Sequence, residues 1–257
     1  MPEGDAVLRT ARRLDRVLTG AVLTRTDLRV PRFATVDLAG ETVIATVARG
    51  KHLLTRIGEE WTLHTHLKME GSWVTQTRGQ RWPKPAYQAR VVLETDSAQA
   101  VGFLLGLVEL LPRSREETVL GYLGPDLLAA DWSDADEDEA VRRLLAHADE
   151  PIFDALRDQS SLAGLGTIWA AETCFTCGIH PSATVGNVPD LRRMVRIARL
   201  KLGQAMERRV PMAVYGRSRG PCLRCGTPVR RIESGGPTRP RPAYFCPACQ
   251  PILGEGP

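Results

Sequence analysis

Lysine, aromatic residues and long apolar runs are all scarce in this sequence of 257 residues. Only four lysines are present, at Lys51, Lys68, Lys84 and Lys201, so arginine carries nearly all of the positive charge. Aromatic residues make up 5% of the chain, which predicts a mostly aliphatic core. No apolar run is long enough to cross a bilayer, which argues against a transmembrane protein.

The amino-terminal segment also lacks the features of a signal peptide. Acidic Glu3 and Asp5 stand where a signal peptide would carry a basic segment followed by an apolar one. We therefore expect a soluble, cytoplasmic protein with no membrane partner, and a monomer.

Cysteine occurs only in the last third of the chain, where four of the six residues form two C-x2-C pairs. The four are Cys222, Cys225, Cys246 and Cys249. Two such turns can place four thiolates around one zinc ion, with Zn–S distances of about 2.3 Å. Disulfides are rare in the cytosol. Because four thiolates leave no open coordination position, the spacing predicts one structural zinc ion that takes no part in catalysis.

The segment between the two cysteine pairs predicts a zinc-stabilised β-hairpin with a Gly-Gly-Pro turn at 235–237. The metal would supply much of the folding energy of so short a segment. Seven arginines and a single acid, Glu233, lie between Arg217 and Arg241. This local basic charge indicates a contact with nucleic acid, and a solvated tail is the alternative.

Cys174 and Cys177 form a third C-x2-C, without a matching second pair. Their spacing places them on one helix as small buried hydrophobic residues. A redox role or a second metal site is the minor alternative.

The rest of the sequence predicts a β-rich segment followed by a helical one. Helical spacing of apolar residues predicts a helix over Ala6–Leu18. Short β-like runs then favour an antiparallel β-sandwich, over 21–26, 42–49, 52–57, 61–67, 71–75, 89–93 and 100–105. The character changes after about Leu110, and a helical region opens at Leu123-Gly124-Pro125-Asp126, with helices predicted over 139–147, 151–156, 166–177 and 191–208. The acidic segment Asp131–Glu139 is interpreted as a surface connection.

Six motifs, in this order along nearly the whole chain, resemble the formamidopyrimidine-DNA glycosylase and endonuclease VIII family. They are Pro2-Glu3-Gly4, Arg49-Gly50-Lys51-His52, the run from His66 to Gly71, Leu123-Gly124-Pro125-Asp126, the run from Leu162 to Glu172 with Gly178-Ile179-His180-Pro181, and the four-cysteine finger. The Pro-Glu-Gly-Asp start is similar to the endonuclease VIII branch and its actinobacterial relatives. The resemblance implies a multi-domain α and β protein: an amino-terminal catalytic β-sandwich over 1–115, a helix-two-turn-helix domain over 116–216 and a zinc finger over 217–257.

The resemblance also implies catalytic roles for Pro2, Glu3 and Lys51. Removal of Met1 would expose the Pro2 amine, and an α-amine with a pKa of about 8 is partly neutral and nucleophilic at neutral pH. Glu3 would move protons, and Lys51 would meet a phosphate or the opened sugar. Without the motifs, a disordered terminus, a helix-start acid and an exposed turn lysine are the alternatives.

Damaged DNA is the partner that the resemblance implies, bound through Met69, Gly166, Thr167 and Arg241. Met69 would fill the space left by a flipped nucleotide. Gly166 and Thr167, at a helix start, and Arg241, in the finger, would contact phosphates. The alternatives are a core methionine, an ordinary helix start and a solvated arginine.

The sequence departs from the family pattern at three places. Thr167 replaces the usual asparagine, and Asp5-Ala6 stand where the first helix commonly carries a second proline and a glutamate. No Arg-x-Phe loop occurs in Val101–Arg115, so weak reading of the opposite strand is expected and single-stranded or bubble DNA is a plausible substrate.

The motifs together predict a bifunctional DNA glycosylase and AP lyase that removes oxidised bases, with pyrimidines preferred, and cuts the strand by β- and δ-elimination. The alternative is a catalytically weak relative that binds damaged DNA without processing it. A zinc-finger transcription factor would leave the Pro2 and Lys51 motifs unexplained.

Overall fold

Helix α1 (Gly4–Leu18) buries one apolar stripe against two β-sheets. Val7, Ala11, Leu14 and Leu18 recur every three or four residues and are all buried, as the helical spacing predicted. They are seen in a computed structural model that describes residues 2–235 and 240–252. The chain divides into two compact units, Met1–Tyr122 and Leu123–Pro257.

The first unit contains two four-stranded antiparallel sheets. Their strands are β1 (Arg25–Leu28), β2 (Val43–Arg49), β3 (His52–Ile57), β4 (Trp61–His66), β5 (Ser72–Thr77), β6 (Ala89–Glu94), β7 (Ala98–Phe103) and β8 (Leu107–Pro112). One sheet has the order β1-β6-β7-β5 and the other β2-β3-β4-β8. Residues from both sheets share one apolar cluster with α1, so the predicted β-sandwich is confirmed.

Two strand predictions were inaccurate. The predicted run 21–26 is mostly an extended connection, and β1 begins only at Arg25. Strand β8 was missed because its apolar residues were interpreted as the start of the helical part of the chain. In the structure its residues pair with β4, for example Leu110 with Leu63. Pairing between distant segments is invisible in local sequence.

The second unit is helical, with a hairpin at its end. The short helix α2 (Glu116–Leu120) still belongs to the first unit. The helices of the second unit are α3 (Asp134–Leu145), α4 (Ile152–Arg157), α5 (Thr167–Cys177) and α6 (Leu191–Glu207). The hairpin pairs β9 (Arg230–Ser234) with β10 (Arg241–Phe245). None of the helices in the described part of the chain is long and apolar enough to cross a membrane.

The acidic segment Asp131–Glu139 is not merely a connection, because α3 begins within it. Ser133 caps the helix in a reciprocal capping box with Asp136, and the acids of the first turn face the positive end of the helix dipole. Glu137 is buried and pairs with Arg192 and Arg196 of α6. The helical region predicted to open at Leu123 begins with turns and coil over 123–133, and α3 is its first helix.

Candidate functional site

The beginning of α1 and the β2–β3 turn lie at the same end of the sandwich. Helix α1 runs antiparallel to β2, because Gly20 N donates to Val43 O at 2.8 Å and Thr46 N donates to Asp15 Oδ1 at 2.9 Å. From these contacts the helix rises about 18 Å back to Glu3, and the strand extends about 17 Å to Lys51. Two distant sequence motifs thus converge.

Glu3 and Lys51 are both buried, which is unusual for charged side chains. Glu3 is the N-cap residue of α1 and only 2% exposed, while its carbonyl accepts from Val7 N at 3.0 Å. Lys51 is 9% exposed. An exposed turn lysine is therefore excluded as a description of Lys51, whereas Glu3 does stand at a helix start, as its alternative has it.

The Gly50–Lys51 turn joins β2 to β3 with two residues, because Arg49 pairs directly with His52. Gly50 adopts a φ of 59°, which L side chains rarely adopt and which the first position of such a turn requires. Glycine at this position places Lys51 at the tip of a rigid hairpin.

A chain of polar side chains lies behind this turn, and sequence reasoning missed it. His52 Nδ1 lies 2.8 Å from His64 Nε2, and His64 Nδ1 lies 3.1 Å from Glu109 Oε2. At the other end the Tyr122 hydroxyl lies 3.3 Å from His52 Nε2. The ring of His66 meets that of His52 edge-on at a centroid distance of 5.0 Å. Alternation of histidines along β4 was the available signal.

Burial keeps these histidines neutral. It lowers the pKa of His52 to about 3, with further lowering by His66, His64, Lys68 and Lys51. Burial and the positive charges of Lys68 and Lys51 lower the pKa of His66 to about 4. Burial also lowers the pKa of His64, although the hydrogen bond to Glu109 opposes that shift.

Met69 lies in the loop after β4 and is 60% exposed, which excludes a core methionine. Lys68 has a φ of 52°, and Gly71 N donates to Leu67 O at 2.9 Å. A Cβ on Gly71 would come within 2.4 Å of that carbonyl oxygen, so only glycine closes this loop. The turn holds an apolar side chain in solvent.

The connection between β7 and β8 is too short for a void-filling loop. Phe103 ends β7 and Leu107 begins β8, so three residues carry the chain from one sheet to the other. Leu104 has a φ of 48°, as a tight reversal requires. This geometry accounts for the absence of an Arg-x-Phe motif.

In the second unit, a glycine loop leads into α5. Gly164 has a φ of 97°, and Gly166 is the extended N-cap residue of the helix. Gln159 holds the loop, because its Oε1 accepts from Gly164 N at 3.1 Å and its Nε2 donates to Leu165 O at 2.8 Å. Thr167, the first helical residue, is buried.

Glu172, on the same helix, fixes the segment that precedes the finger. Its buried carboxylate accepts from the backbone N–H groups of Ala213, Val214 and Tyr215, each at 2.9 Å. Three charge-assisted bonds to one carboxylate hold this backbone firmly. The sequence placed Glu172 in a motif but assigned it no role.

The four finger cysteines come together as the spacing predicted. Their Sγ atoms all lie within 4.8 Å of one another. The Sγ–Sγ distance is 3.5 Å for Cys225–Cys246, 3.5 Å for Cys225–Cys249 and 4.0 Å for Cys222–Cys249. A tetrahedron with Zn–S bonds of about 2.3 Å has S–S edges of about 3.8 Å. The arrangement therefore fits a single metal ion and does not form disulfides.

The knuckle turn at Cys222–Gly226 has the geometry that a thiolate pair needs. Gly226 has a φ of 77° and donates its N–H to Cys222 O at 2.9 Å. Hydrogen bonds from Thr227 lower the pKa of Cys225 to about 6. Burial and the neighbouring thiols raise the pKa of Cys249 to about 12, so a cation is required to hold all four as thiolates.

The finger packs against the helices of the second unit. Gln250 Nε2 donates to Ile179 O at 2.7 Å, and the His180 and Phe245 rings meet edge-on at 4.4 Å. Arg241 begins β10 opposite Ser234 and is half-buried. Gly236–Arg239, which includes most of the predicted turn, lies outside the described residues.

Cys174 and Cys177 both lie on α5, and neither belongs to the finger cluster of four. Cys174 is fully buried, and burial raises the pKa of both thiols. Raised pKa values disfavour the thiolate, so the geometry supports packing rather than redox chemistry.

Comparison with known proteins agrees with the order of the motifs. Residues 1–104 match the Formamidopyrimidine-DNA glycosylase N-terminal domain. A Probable endonuclease 8 2 of Streptomyces coelicolor is 45% identical over 97% of this chain and 94% of its own. A DNA-(apurinic or apyrimidinic site) lyase Nei2 of Mycolicibacterium smegmatis is 41% identical, with 97% and 99% covered.

The fold is that of a solved glycosylase. Lactococcus lactis formamidopyrimidine-DNA glycosylase, non-covalently bound to DNA containing an AP site, superposes with a TM-score of 0.82 at 22% identity, covering 97% of this chain and 99% of that one. The sandwich with its amino-terminal helix, the helical unit and the four-cysteine hairpin all occur in the predicted order. The chain therefore belongs to the formamidopyrimidine-DNA glycosylase and endonuclease VIII family, in its endonuclease VIII-like branch.

Proposed function

We propose that this protein is a bifunctional DNA glycosylase and AP lyase of base excision repair, with the Pro2 amine as its nucleophile. One observation carries the assignment: buried Glu3, next to Pro2, and buried Lys51 approach the same end of the sandwich from two distant chain positions. Burying ionisable groups is costly, and functional sites are where proteins concentrate such groups.

In the proposed reaction, Pro2 N attacks sugar C1′ and the bond from C1′ to the damaged base breaks. The base leaves with a proton. Protonation of O4′ by Glu3 then breaks the C1′–O4′ bond, so the sugar opens and C1′ and Pro2 N share an iminium. The iminium acidifies the C2′ proton, and its removal breaks the bond to the 3′ phosphate. A second elimination releases the 5′ phosphate. Glu3 moves the protons, and Lys51 meets a phosphate or the opened sugar.

Damaged DNA is the proposed partner, and each contact follows from a described feature. Met69, exposed at the tip of its loop, occupies the gap left by the flipped nucleotide. The backbone at Gly166 and Thr167 and the Arg241 side chain bind phosphates. We assign the metal as zinc, held by Cys222, Cys225, Cys246 and Cys249, where it stabilises the hairpin that presents Arg241.

The short β7–β8 connection favours substrates in which the opposite strand matters little. Single-stranded and bubble DNA with oxidised pyrimidines are therefore the proposed substrates. We also propose three functional segments, 1–115, 116–216 and 217–257, in a monomer. Its relatives are bacterial proteins that act on DNA, and the DNA of a bacterium lies in the cytoplasm, which is the proposed location.

Borohydride trapping on DNA with an abasic site tests the nucleophile. Protein whose Met1 is removed, verified by mass spectrometry, is expected to form a covalent adduct that Pro2→Gly abolishes. Pro31→Gly is the matched control, because Pro31 is an exposed proline in a surface turn, and it should trap like the wild type.

Absence of an adduct with correctly processed protein would contradict the lyase assignment. Tight binding to the abasic DNA in that case would favour the alternative, a damage-binding relative with weak catalysis. Retention of trapping in protein that keeps Met1 would move the nucleophile to another amine. Retention in Pro2→Gly alone would not, because the glycine that replaces Pro2 also carries an α-amine at the same place.

A further inference from the structure

The polar chain behind the Gly50–Lys51 turn has only one consistent arrangement of protons. Glu109, as a carboxylate, can only accept, so His64 Nδ1 carries the proton in that bond. Neutral His64 must then accept at Nε2, and His52 donates from Nδ1. Neutral His52 accepts at Nε2, and the Tyr122 hydroxyl donates to it. The three donors, Tyr122, His52 and His64, thus all point their protons in one direction, towards the accepting carboxylate of Glu109.

Both residues that flank the turn are held through this face of the sheet. His52 is fixed at both ring nitrogens, and Arg49, its cross-strand partner, pairs with Glu117 at 2.6 Å. Glu109, Glu117 and Tyr122 all lie in or after β8, the strand at the sheet edge, so the turn is braced against a single stretch of chain. The neighbouring Arg56 and Thr62 bond to Glu116 in the same stretch.

We propose that His52 and His64 are positioning residues for the lyase reaction: the ordered chain from Tyr122 to Glu109 fixes the His52 ring and so holds the Lys51 turn in its reactive position. The inference rests on the proposed function, because it takes Lys51 to act at the reaction centre. Neither histidine touches the substrate in this assignment.

The charges around the chain keep it neutral and ordered. Lys51, Lys68 and His66 face His52, and Lys68 also acts on His64, so an added proton on either ring would be repelled. Glu109 and Glu116 oppose this at His64. A two-residue turn fixed at both flanks loses little freedom when a substrate binds, and a displacement of about 1 Å at a reacting group costs up to about a hundredfold in rate.

Two variants at one position separate hydrogen bonding from charge. Glu109→Gln removes the charge but keeps an oxygen that accepts from His64, whereas Glu109→Leu removes both. We expect Glu109→Leu to slow single-turnover cleavage of abasic DNA about tenfold or more with the DNA Kd unchanged, and Glu109→Gln to remain within about threefold of wild type. Tyr122→Phe, at an exposed side chain, should slow cleavage without loss of fold.

Long-range proton–nitrogen NMR of the histidine side chains provides the second readout. His52 and His64 should both carry the proton on Nδ1 at neutral pH, and Glu109→Leu should release His64 from that state. His147→Gln is the control and should leave the signals of His52 and His64 unchanged, since His147 pairs with Glu150 in the turn after α3.

The outcomes separate this inference from the proposed function. Folded Glu109→Leu and Tyr122→Phe proteins that cleave at the wild-type rate would overturn the positioning role, as would a proton on Nε2 of His52. If the wild type itself forms no borohydride adduct, the proposed function fails and the positioning role with it. Slow cleavage by Glu109→Leu and Tyr122→Phe, a near wild-type rate in Glu109→Gln and an adduct with the wild type would together support the positioning role and the proposed function.

Discussion

Thr46 donates its backbone N–H to Asp15 Oδ1 at 2.9 Å, and this bond sets the register of α1 against β2. Asp15 also accepts from the Thr19 hydroxyl at 2.6 Å, near the end of the helix. Because α1 is one continuous helix from Gly4 to Leu18, fixing its register here determines where Glu3 lies at its other end. A residue far along the helix thereby controls the candidate site.

Asp15→Ala should weaken both the fold and the reaction. It leaves the Thr46 N–H without its partner, which costs about 1–3 kcal/mol, and it frees α1 to shift along β2. Urea unfolding and single-turnover cleavage of abasic DNA measure the two effects. Asp15→Asn keeps an accepting oxygen and is expected to retain most of both; equal loss in the two variants would contradict the register argument.

The pH dependence of stability should reveal the half-buried histidines His52 and His66. Their folded pKa values, about 3 for His52 and about 4 for His66, lie below the ordinary 6.5. The unfolded chain therefore binds more protons, so stability falls as pH drops below about 6.5 and levels off only near 3–4. Each histidine contributes at most about 1.4 kcal/mol per pH unit in that window.

Urea unfolding between pH 7 and pH 4.5 tests this slope in His66→Gln and in His147→Gln. The first variant should flatten the slope, because it removes a half-buried group whose pKa is lowered in the folded protein. The second is the control, a histidine in the turn after α3, and should leave the slope unchanged. An unchanged slope in His66→Gln would show that His66 titrates normally in the folded protein.

Loss of one finger thiolate should abolish metal retention and weaken DNA binding. Cys249→Ser removes a ligand from the cluster, whereas Cys177→Ser, outside the cluster, is the matched control. Losing the charge-assisted contact of Arg241 with a phosphate costs about 1.5–3 kcal/mol, or about tenfold or more in Kd. Zinc released to an indicator dye and DNA-binding titrations measure both; unchanged affinity after verified zinc loss would count against Arg241.

Met69→Ala should slow base removal from damaged duplex without affecting stability. The side chain is already exposed, so its loss creates no cavity, but the flipped state loses about 1.5 kcal/mol or more of apolar burial. Base-release rates on duplex should fall about tenfold, and cleavage of a single-stranded abasic site should not. Leu145→Ala, at another exposed apolar residue, should match wild type on both substrates.

Glu172→Ala should destabilise the second unit strongly. Three backbone N–H groups would lose one shared acceptor, at a cost of about 2–4 kcal/mol. Denaturant unfolding measures the loss, and Glu150→Gln, at an exposed carboxylate, should have no measurable effect. A stability close to wild type would mean that the segment 213–215 finds other acceptors.

The sequence alone determined the features that depend on neighbours along the chain. Spacing placed α1, the hairpin and the four-cysteine cluster correctly, because helical periodicity and C-x2-C turns are local properties. It also located Gly50 and Lys51 at a turn. It misread Asp131–Glu139, since composition was given more weight than the Ser133 cap.

Only the tertiary structure decided which distant side chains meet. The missed strand β8 supplies Glu109, and without it the histidines of β3 and β4 have no acceptor. The burial of Glu3 and Lys51 likewise follows from packing α1 on β2, which no local pattern encodes. Pairing across a sheet and docking of a helix bring together residues dozens of positions apart. The burial of apolar surface that stabilises these contacts occurs only when the distant segments pack together.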